Sequence, residues 1–269
     1  MNISIQSAPR GQQSGRNPLA GRLRKAIKYA LVRLAGGPLE QVFFQYRLMS
    51  VRVRALLGNP YTALYDMDRK LEKYLGFRDG TFIEVGANDG IAQSNTYFLE
   101  KKFGWRGLLV EPVPKYFRMC RRARRAQAVN CALGPIEKDG DELEILSGGL
   151  MSIATSVDDR LLHGRTVQEH ATFGAREFGS RAPRVIRTRI RALSKLLDEL
   201  GIETVDFFSL DVEGFELEVL KGLDMTRHRP KFILVETEQL AEVTAFLGER
   251  YKMIESLSHH DFLFNRTGA

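Results

Sequence analysis

The feature that most constrains the fold is a regular alternation of two kinds of segment from about residue 80 onward. Apolar runs at 81–86, 107–111, 127–132, 205–210 and 231–236 read as strands, and helical stretches fall at 93–102, 114–124, 193–200, 214–222 and 238–248. Parallel neighbours need a crossover of a dozen residues or more, and a helix supplies it. The alternation therefore predicts an α/β domain with a mostly parallel sheet covered on both faces. The last two segments, 251–256 and 261–265, are separated only by a short polar turn within SLSHHD. That is too short for a parallel crossover and predicts a C-terminal antiparallel hairpin.

A chain of 269 residues accommodates one large α/β domain and an appendage. The expected division is an extension over 1–60 and a catalytic domain over 61–269. Charge supports it: residues 1–60 hold ten Lys+Arg and one acid, a net of +9, so with +7 for the whole chain the remainder carries −2. The first residues are rich in Gly, Gln, Ser and Pro, a composition that favours disorder. Leu19, Leu23, Ile27, Leu31 and Leu34 then recur at helical spacing, with Arg22, Arg24, Lys25, Lys28 and Arg33 interleaved. Such a helix packs on its own domain or touches an anionic membrane surface or another polyanion. A second basic run, Arg118 to Arg125, is expected to be a solvated helix face.

Two cysteines, Cys120 and Cys131, make no disulfide framework, and no His/Cys spacing suggests zinc. No apolar run approaches a membrane span, and the amino terminus lacks a signal-peptide core. A cytoplasmic protein is expected, with a peripheral position at the inner face of the membrane as the variant the basic helix allows.

The first strand ends in FIEVGANDG, residues 82–90. In an open parallel sheet ligands sit beyond the carboxyl ends of the strands, and this first βα turn lies there. Gly86 and Gly90 permit a tight turn, and Asn88 and Asp89 tolerate unusual backbone angles. Asn88 stands where a dinucleotide fingerprint needs its second glycine, so a pyrophosphate fits poorly and an NAD(P) oxidoreductase is disfavoured. Carboxylates suit a cationic ligand: Glu84 points toward an amino-acid ammonium, and Glu111, in GLLVEP, toward the two hydroxyls of a ribose. S-adenosylmethionine carries an ammonium, a sulfonium and a ribose diol.

Together with VDFFSLDVEGFELEVLKGLD, the stretches FIEVGANDGIAQSNTYFLE and GLLVEPVPKYF resemble the FkbM family of S-adenosylmethionine-dependent methyltransferases over roughly residues 80–265. The resemblance implies a Rossmann-like class I methyltransferase fold, with a seven-stranded, mostly parallel sheet, and methyl transfer to oxygen, often a hydroxyl of a sugar, glycolipid or polyketide. Carried over by position, Glu84, Gly86, Ala87, Asn88, Asp89 and Gly90 resemble the cofactor loop, and Ser94 and Asn95 open the following helix. Glu111 with Pro112 resembles the ribose contact. Asn130, Cys131 and Ala132 match the adenine-side wall, and Met151 and Ser152 lie near the cofactor.

LDVEGFE closes the fourth strand, so Asp211 and Glu213 should project beside the transferred methyl. A sugar hydroxyl must lose its proton as the methyl moves, and Asp211 is the first candidate base, with Glu213 orienting the acceptor or sharing the work. The plain alternative is a helix cap and an ion pair. His259 and His260, in the terminal turn, are further candidates; His163, His170 and His228 carry no partner pattern. Asp211 and Glu213 with Asp89 could hold Mg²⁺, but no third ligand is evident by spacing, so metal is not favoured. The stretch 148–186 reads as a loop-rich acceptor lid, offering Arg165, Arg176, Arg181 and Arg184 to a carbohydrate or glycolipid. A nucleic-acid acceptor is disfavoured by the slightly acidic core and the missing NPPY-type tetrad; NPY at 59–61 reads as a turn. A non-catalytic partner-binding protein is disfavoured because Glu84, Asp89, Glu111 and Asp211 are all present.

Overall fold

The structure, a computed structural model, describes residues 38–162, 164–177 and 182–268. The chain divides into two compact units, residues 1–42 and 43–269. The helix expected at 19–34 lies outside the described residues, and residues 43–60, read as the tail of the extension, belong to the second unit.

The described helices are α1 (Pro38–Leu56), α2 (Met67–Leu75), α3 (Tyr97–Phe103), α4 (Pro114–Ala123), α5 (Val167–Glu177), α6 (Leu193–Leu200), α7 (Glu216–Lys221) and α8 (Leu240–Leu247). The strands are β1 (Thr81–Val85), β2 (Arg106–Val110), β3 (Gln127–Val129), β4 (Ala132–Leu133), β5 (Glu142–Ser147), β6 (Ile153–Ala154), β7 (Arg184–Arg191), β8 (Phe207–Leu210), β9 (Phe232–Glu236), β10 (Tyr251–Ser256) and β11 (Asp261–Arg266). No described helix is long and apolar enough to cross a membrane.

Seven strands form the main sheet in the order β10-β11-β9-β8-β1-β2-β3, and only β11 runs against the rest, antiparallel to both β9 and β10. The expected C-terminal hairpin is present. The central strands are apolar on every residue but a few because both faces are covered. Ile83, Val85, Val110, Phe208, Leu210, Ile233 and Val235 pack on one side with α6 and α8 residues such as Leu196, Leu197 and Val243. Phe82, Leu109, Phe207 and Leu234 pack on the other with Leu71 and Leu75 of α2, Phe98 and Leu99 of α3, and Trp105.

Register places the site. Val85 pairs with Val110 and with Leu210, and Leu210 with Val235. The residues just past or at that rung are Gly86, Glu111, Asp211 and Glu236, and Asp261 of β11 pairs with Glu236. Four carboxylates thus leave one edge of one sheet.

Two expectations need correction. The third strand does not run through 127–132: β3 stops at Val129, and Ala132 and Leu133 pair with β7 in a second sheet, ordered β4-β7-β5-β6. The Asn130 side chain marks the break, donating to the carbonyls of Glu111 and Pro112 at 2.8 and 2.9 Å. Nor is the 148–186 insertion loop-rich. It contributes β6, α5 and the start of β7, and together with β5 these elements have their own apolar core of Leu143, Ile145, Ile153, Leu162, Ala171 and Ile190.

Candidate active site

The turn after β1 is built around Glu84. One of its oxygens accepts from the backbone N–H of Asn95 at 2.8 Å, the other from Ser94 Oγ at 2.9 Å and Thr96 Oγ1 at 2.6 Å, with Arg124 at 3.5 Å. Residues 94–96 are held this way, which is why α3 begins at Tyr97 rather than near 93. The Arg124 guanidinium, fully buried, also donates to Glu100, Gly90 O, Ser94 and Thr96. The run 118–125 is therefore not wholly a solvated face: Arg118, Arg121 and Arg122 are exposed, and Arg124 is a core cation. Asp89 accepts from the N–H groups of Ile91 and Ala92 at 2.8 Å and from Arg52 of α1 at 2.6 Å. Gly86 has φ +82°, and a Cβ there would lie 1.9 Å from the carbonyl oxygen of Asp211, so only glycine fits. Asn88, at φ +45°, sits in the left-handed region and donates to Gly149 O of the insertion at 3.3 Å.

Beyond this turn opens a cavity of about 520 Å³ whose wall includes Glu84, Gly86, Ala87, Asn88, Ser94, Asn95, Glu111, Pro112, Cys131, Ala132, Met151, Ser152 and Asp211. Each oxygen of Glu111 accepts one backbone N–H, from Asn88 at 2.7 Å and Val113 at 2.8 Å. Burial pushes Glu111 up to about 8, against which those two hydrogen bonds work. It faces the cavity with lone pairs left to accept.

At the far end the acids crowd one another. Burial first, then the carboxylates of Glu236, Glu213, Glu216 and Asp261, push Asp211 well above the usual carboxylate range. Burial and the same neighbours raise Glu236, which is hydrogen-bonded to Asp211. Glu216 rises to about 7, chiefly by burial, although its Oε1 accepts from Val212 and Gly214 N–H. Asp211, Glu213, Glu236 and His260 also line a second cavity of about 260 Å³, together with Arg165, His170, Glu216, Glu238 and His259. Glu213 has φ +55°, a strained angle for a non-glycine residue, and meets His170 Nε2 at 3.0 Å.

Most predicted residues thus converge. Asp89 and Gly90 line neither cavity and brace the turn from behind; Asn130 lines neither and props β2. The Mg²⁺ set of Asp211, Glu213 and Asp89 does not form, because Asp89 is held by Arg52. The Glu84 carboxylate, expected to meet an ammonium, is engaged by four donors within the protein. Of the lid arginines, Arg165 lines the second cavity, Arg176 and Arg184 are exposed and line neither, and Arg181 lies outside the described residues. NPY is a turn, with Asn59 Oδ1 accepting from Tyr61 N–H at 3.1 Å. Three residues were missed. Glu236 ends a strand just as Asp211 does, and Asp261 opens the strand that pairs with it, so strand-end position could have found both. His170, set aside in the sequence reading, carries no local signal; only the folding of the insertion brings it to Glu213.

The profile described as Methyltransferase FkbM domain matches residues 84–264. The chain belongs to the FkbM methyltransferase family. This chain accordingly has the fold and donor chemistry of an S-adenosylmethionine-dependent methyltransferase. No curated protein matches this FkbM chain significantly. Among solved structures it is similar to precorrin-6y C5,15-methyltransferase from Geobacter metallireducens (12% identity, 76% of this chain and 90% of that one, TM-score 0.39). It is also similar to an O-methyltransferase from Bacillus cereus in complex with SAH (13%, 82% and 89%, 0.38) and to a human methyltransferase 10 domain containing protein (10%, 82% and 93%, 0.40). At those scores the family match alone carries the assignment.

Proposed function

We propose that this FkbM protein is an O-methyltransferase acting on a hydroxyl of a sugar, glycolipid or polysaccharide. The observation that carries the reading is the shared wall: Asp211, Glu213, Glu236 and His260 face both cavities, one of a volume suited to the methyl donor, the other smaller and lined by hydrogen-bonding side chains.

The donor cavity fits S-adenosylmethionine. A buried carboxyl at Glu111 with acceptor capacity to spare suits a ribose diol, Cys131, Ala132 and Leu133 offer an apolar wall for a base, and the acid-rich end suits a sulfonium. When bound, the donor supplies an electrophilic methyl group. The protein's own residues then bind, orient and move one proton. Asn88 and Gly149 tie the donor loop to the insertion, so Met151 and Ser152 close over the donor side. Asp211 stands where the cavities meet and takes the hydroxyl proton. Its raised affinity for a proton makes it a stronger base than a solvated aspartate whenever it is ionised. Glu213, held by His170, and Arg165 and His259 present partners for the remaining hydroxyls of a polyol. A hydroxyl-rich acceptor agrees with a cavity of this polarity; an apolar natural product would leave these groups unpaired.

The test is transfer of labelled methyl from S-adenosylmethionine to fractionated extracts of the source organism. Label in a base-stable glycan or glycolipid fraction is expected. Label confined to RNA, protein or apolar small molecules overturns the acceptor class.

A further inference from the structure

Resting on the methyltransferase reading, we propose that Glu236, His260 and Asp261 form a divalent-cation site at the junction of the two cavities, placed to bind the acceptor hydroxyl. Glu236 and Asp261 are register partners on adjacent antiparallel strands, and His260 immediately precedes Asp261. One ligand atom from each lies within 4.8 Å of the others. His260 Nε2 is 3.2 Å from Glu236 Oε1 and 3.6 Å from Asp261 Oδ2. Three donors about 2.0–2.2 Å from one ion stand about 3.0–3.5 Å apart in octahedral or tetrahedral geometry, and both spacings from His260 lie close to that range.

The surroundings independently call for a cation. Glu216 is 1% exposed and lines the second cavity with Glu236 and His260, yet its Oε2 has no hydrogen-bond partner. An orphaned buried carboxylate oxygen is costly. Among the described residues, Glu236 and Asp261 form ion pairs with His260 alone, charged only when protonated. Glu236 and His260 keep part of their side-chain surface, 38% and 19%, facing open space, so ligand positions remain for water or an acceptor oxygen.

Mixed carboxylate and imidazole donors suit first-row divalent ions better than Ca²⁺. A hydroxyl on such an ion is polarised as a Lewis acid polarises water. Its proton passes to ionised Asp211, the oxygen lone pair forms the new C–O bond, the S–CH₃ bond breaks, and its electron pair returns to sulfur as a neutral thioether.

The test uses the full chain after chelator treatment, with Mn²⁺ alone as probe, followed by loss of the free-ion paramagnetic signal, and with S-adenosylmethionine binding measured separately by calorimetry. One Mn²⁺ per chain is expected, weakened at least ~10-fold in Glu236→Gln and in Asp261→Asn. Glu144→Gln, in an exposed pair elsewhere, should bind as wild type. Should Asp261→Asn fail to fold, the near-isosteric change at partly exposed Glu236 decides alone. Absence of stoichiometric Mn²⁺ binding, or undiminished binding in Glu236→Gln, overturns the site. If S-adenosylmethionine still binds in that case, the cation falls and the methyltransferase reading stands. If Mn²⁺ binds and S-adenosylmethionine does not, the catalytic use of the site falls with the donor reading.

Discussion

Glu84 lies on β1 and Asp211 just past the end of its neighbour β8, yet their surroundings are opposite. Around Glu84 every acid has its cation or its N–H donors: Arg124 serves Glu84 and Glu100, and Arg52 serves Asp89. Around Asp211 five acids crowd one another with no Lys or Arg ion pair among the described residues; their neighbours are His170 and His260, and Glu216 Oε2 has no hydrogen-bond partner. The first region is a finished scaffold whose charges are satisfied within the protein. The second is only partly satisfied within the protein, as the proposed reaction site requires. The contrast separates carboxylates that build the turn from carboxylates proposed to do chemistry, although the two kinds look alike in the sequence.

The largest effect should come from the scaffold. Arg124→Ala strands two buried acids and should destabilise the protein by about 3–5 kcal/mol, the scale for breaking a buried ion pair. Urea unfolding measures it; a loss under ~1 kcal/mol would mean that the turn does not depend on its cation.

Asp211→Asn should do the reverse. Removing one charge from a group of like charges should leave the folded protein as stable or more stable at pH 8, while turnover falls at least ~10²-fold for want of the base. Melting curves and single-turnover assays at the same pH check both halves. A melting temperature that drops as steeply as in Arg124→Ala would erase the distinction between the regions.

The smallest effect concerns Glu111, which belongs to the scaffold by its N–H donors and is also the proposed ribose contact, with its proton affinity raised by burial. Because its folded value, about 8, exceeds the ordinary carboxylate value of 4.5, the folded state holds the extra proton between them. Its contribution to stability is therefore full below about 4.5 and lost as pH rises through about 8. The ligand-free melting temperature should fall across that window, and the fall should be shallower in Glu111→Gln. S-adenosylmethionine affinity should move the other way, rising by up to ~10-fold per unit between pH 6.5 and 8, since the ionised form accepts both ribose hydroxyls. Calorimetry across that range, showing a flat affinity, would move the ribose contact elsewhere.

The sheet, its hairpin and the glycine turn were legible because period, crossover length and turn chemistry are local properties. Asp211 and Glu111 were legible for a related reason: a polar residue ending a buried strand stands out against Val and Leu. The second sheet was not legible, because β4 is two residues long and gains its partner only from β7, more than fifty residues later. Arg124 hid inside a basic run whose other members are solvated, and nothing in the run tells one arginine from the next. His170 required the insertion to fold before it had a neighbour.

At Gly86 the main chain of the donor turn rests against the carbonyl of Asp211, with no room for even a methyl group between them. The turn after β1 and the strand end that carries the proposed base therefore behave as one solid piece. If the sheet flexes, both move together. The insertion reaches this piece only through side chains, Asn88 to Gly149 O and His170 to Glu213, so it can shift against the sheet where the turn and the strand end cannot shift against each other.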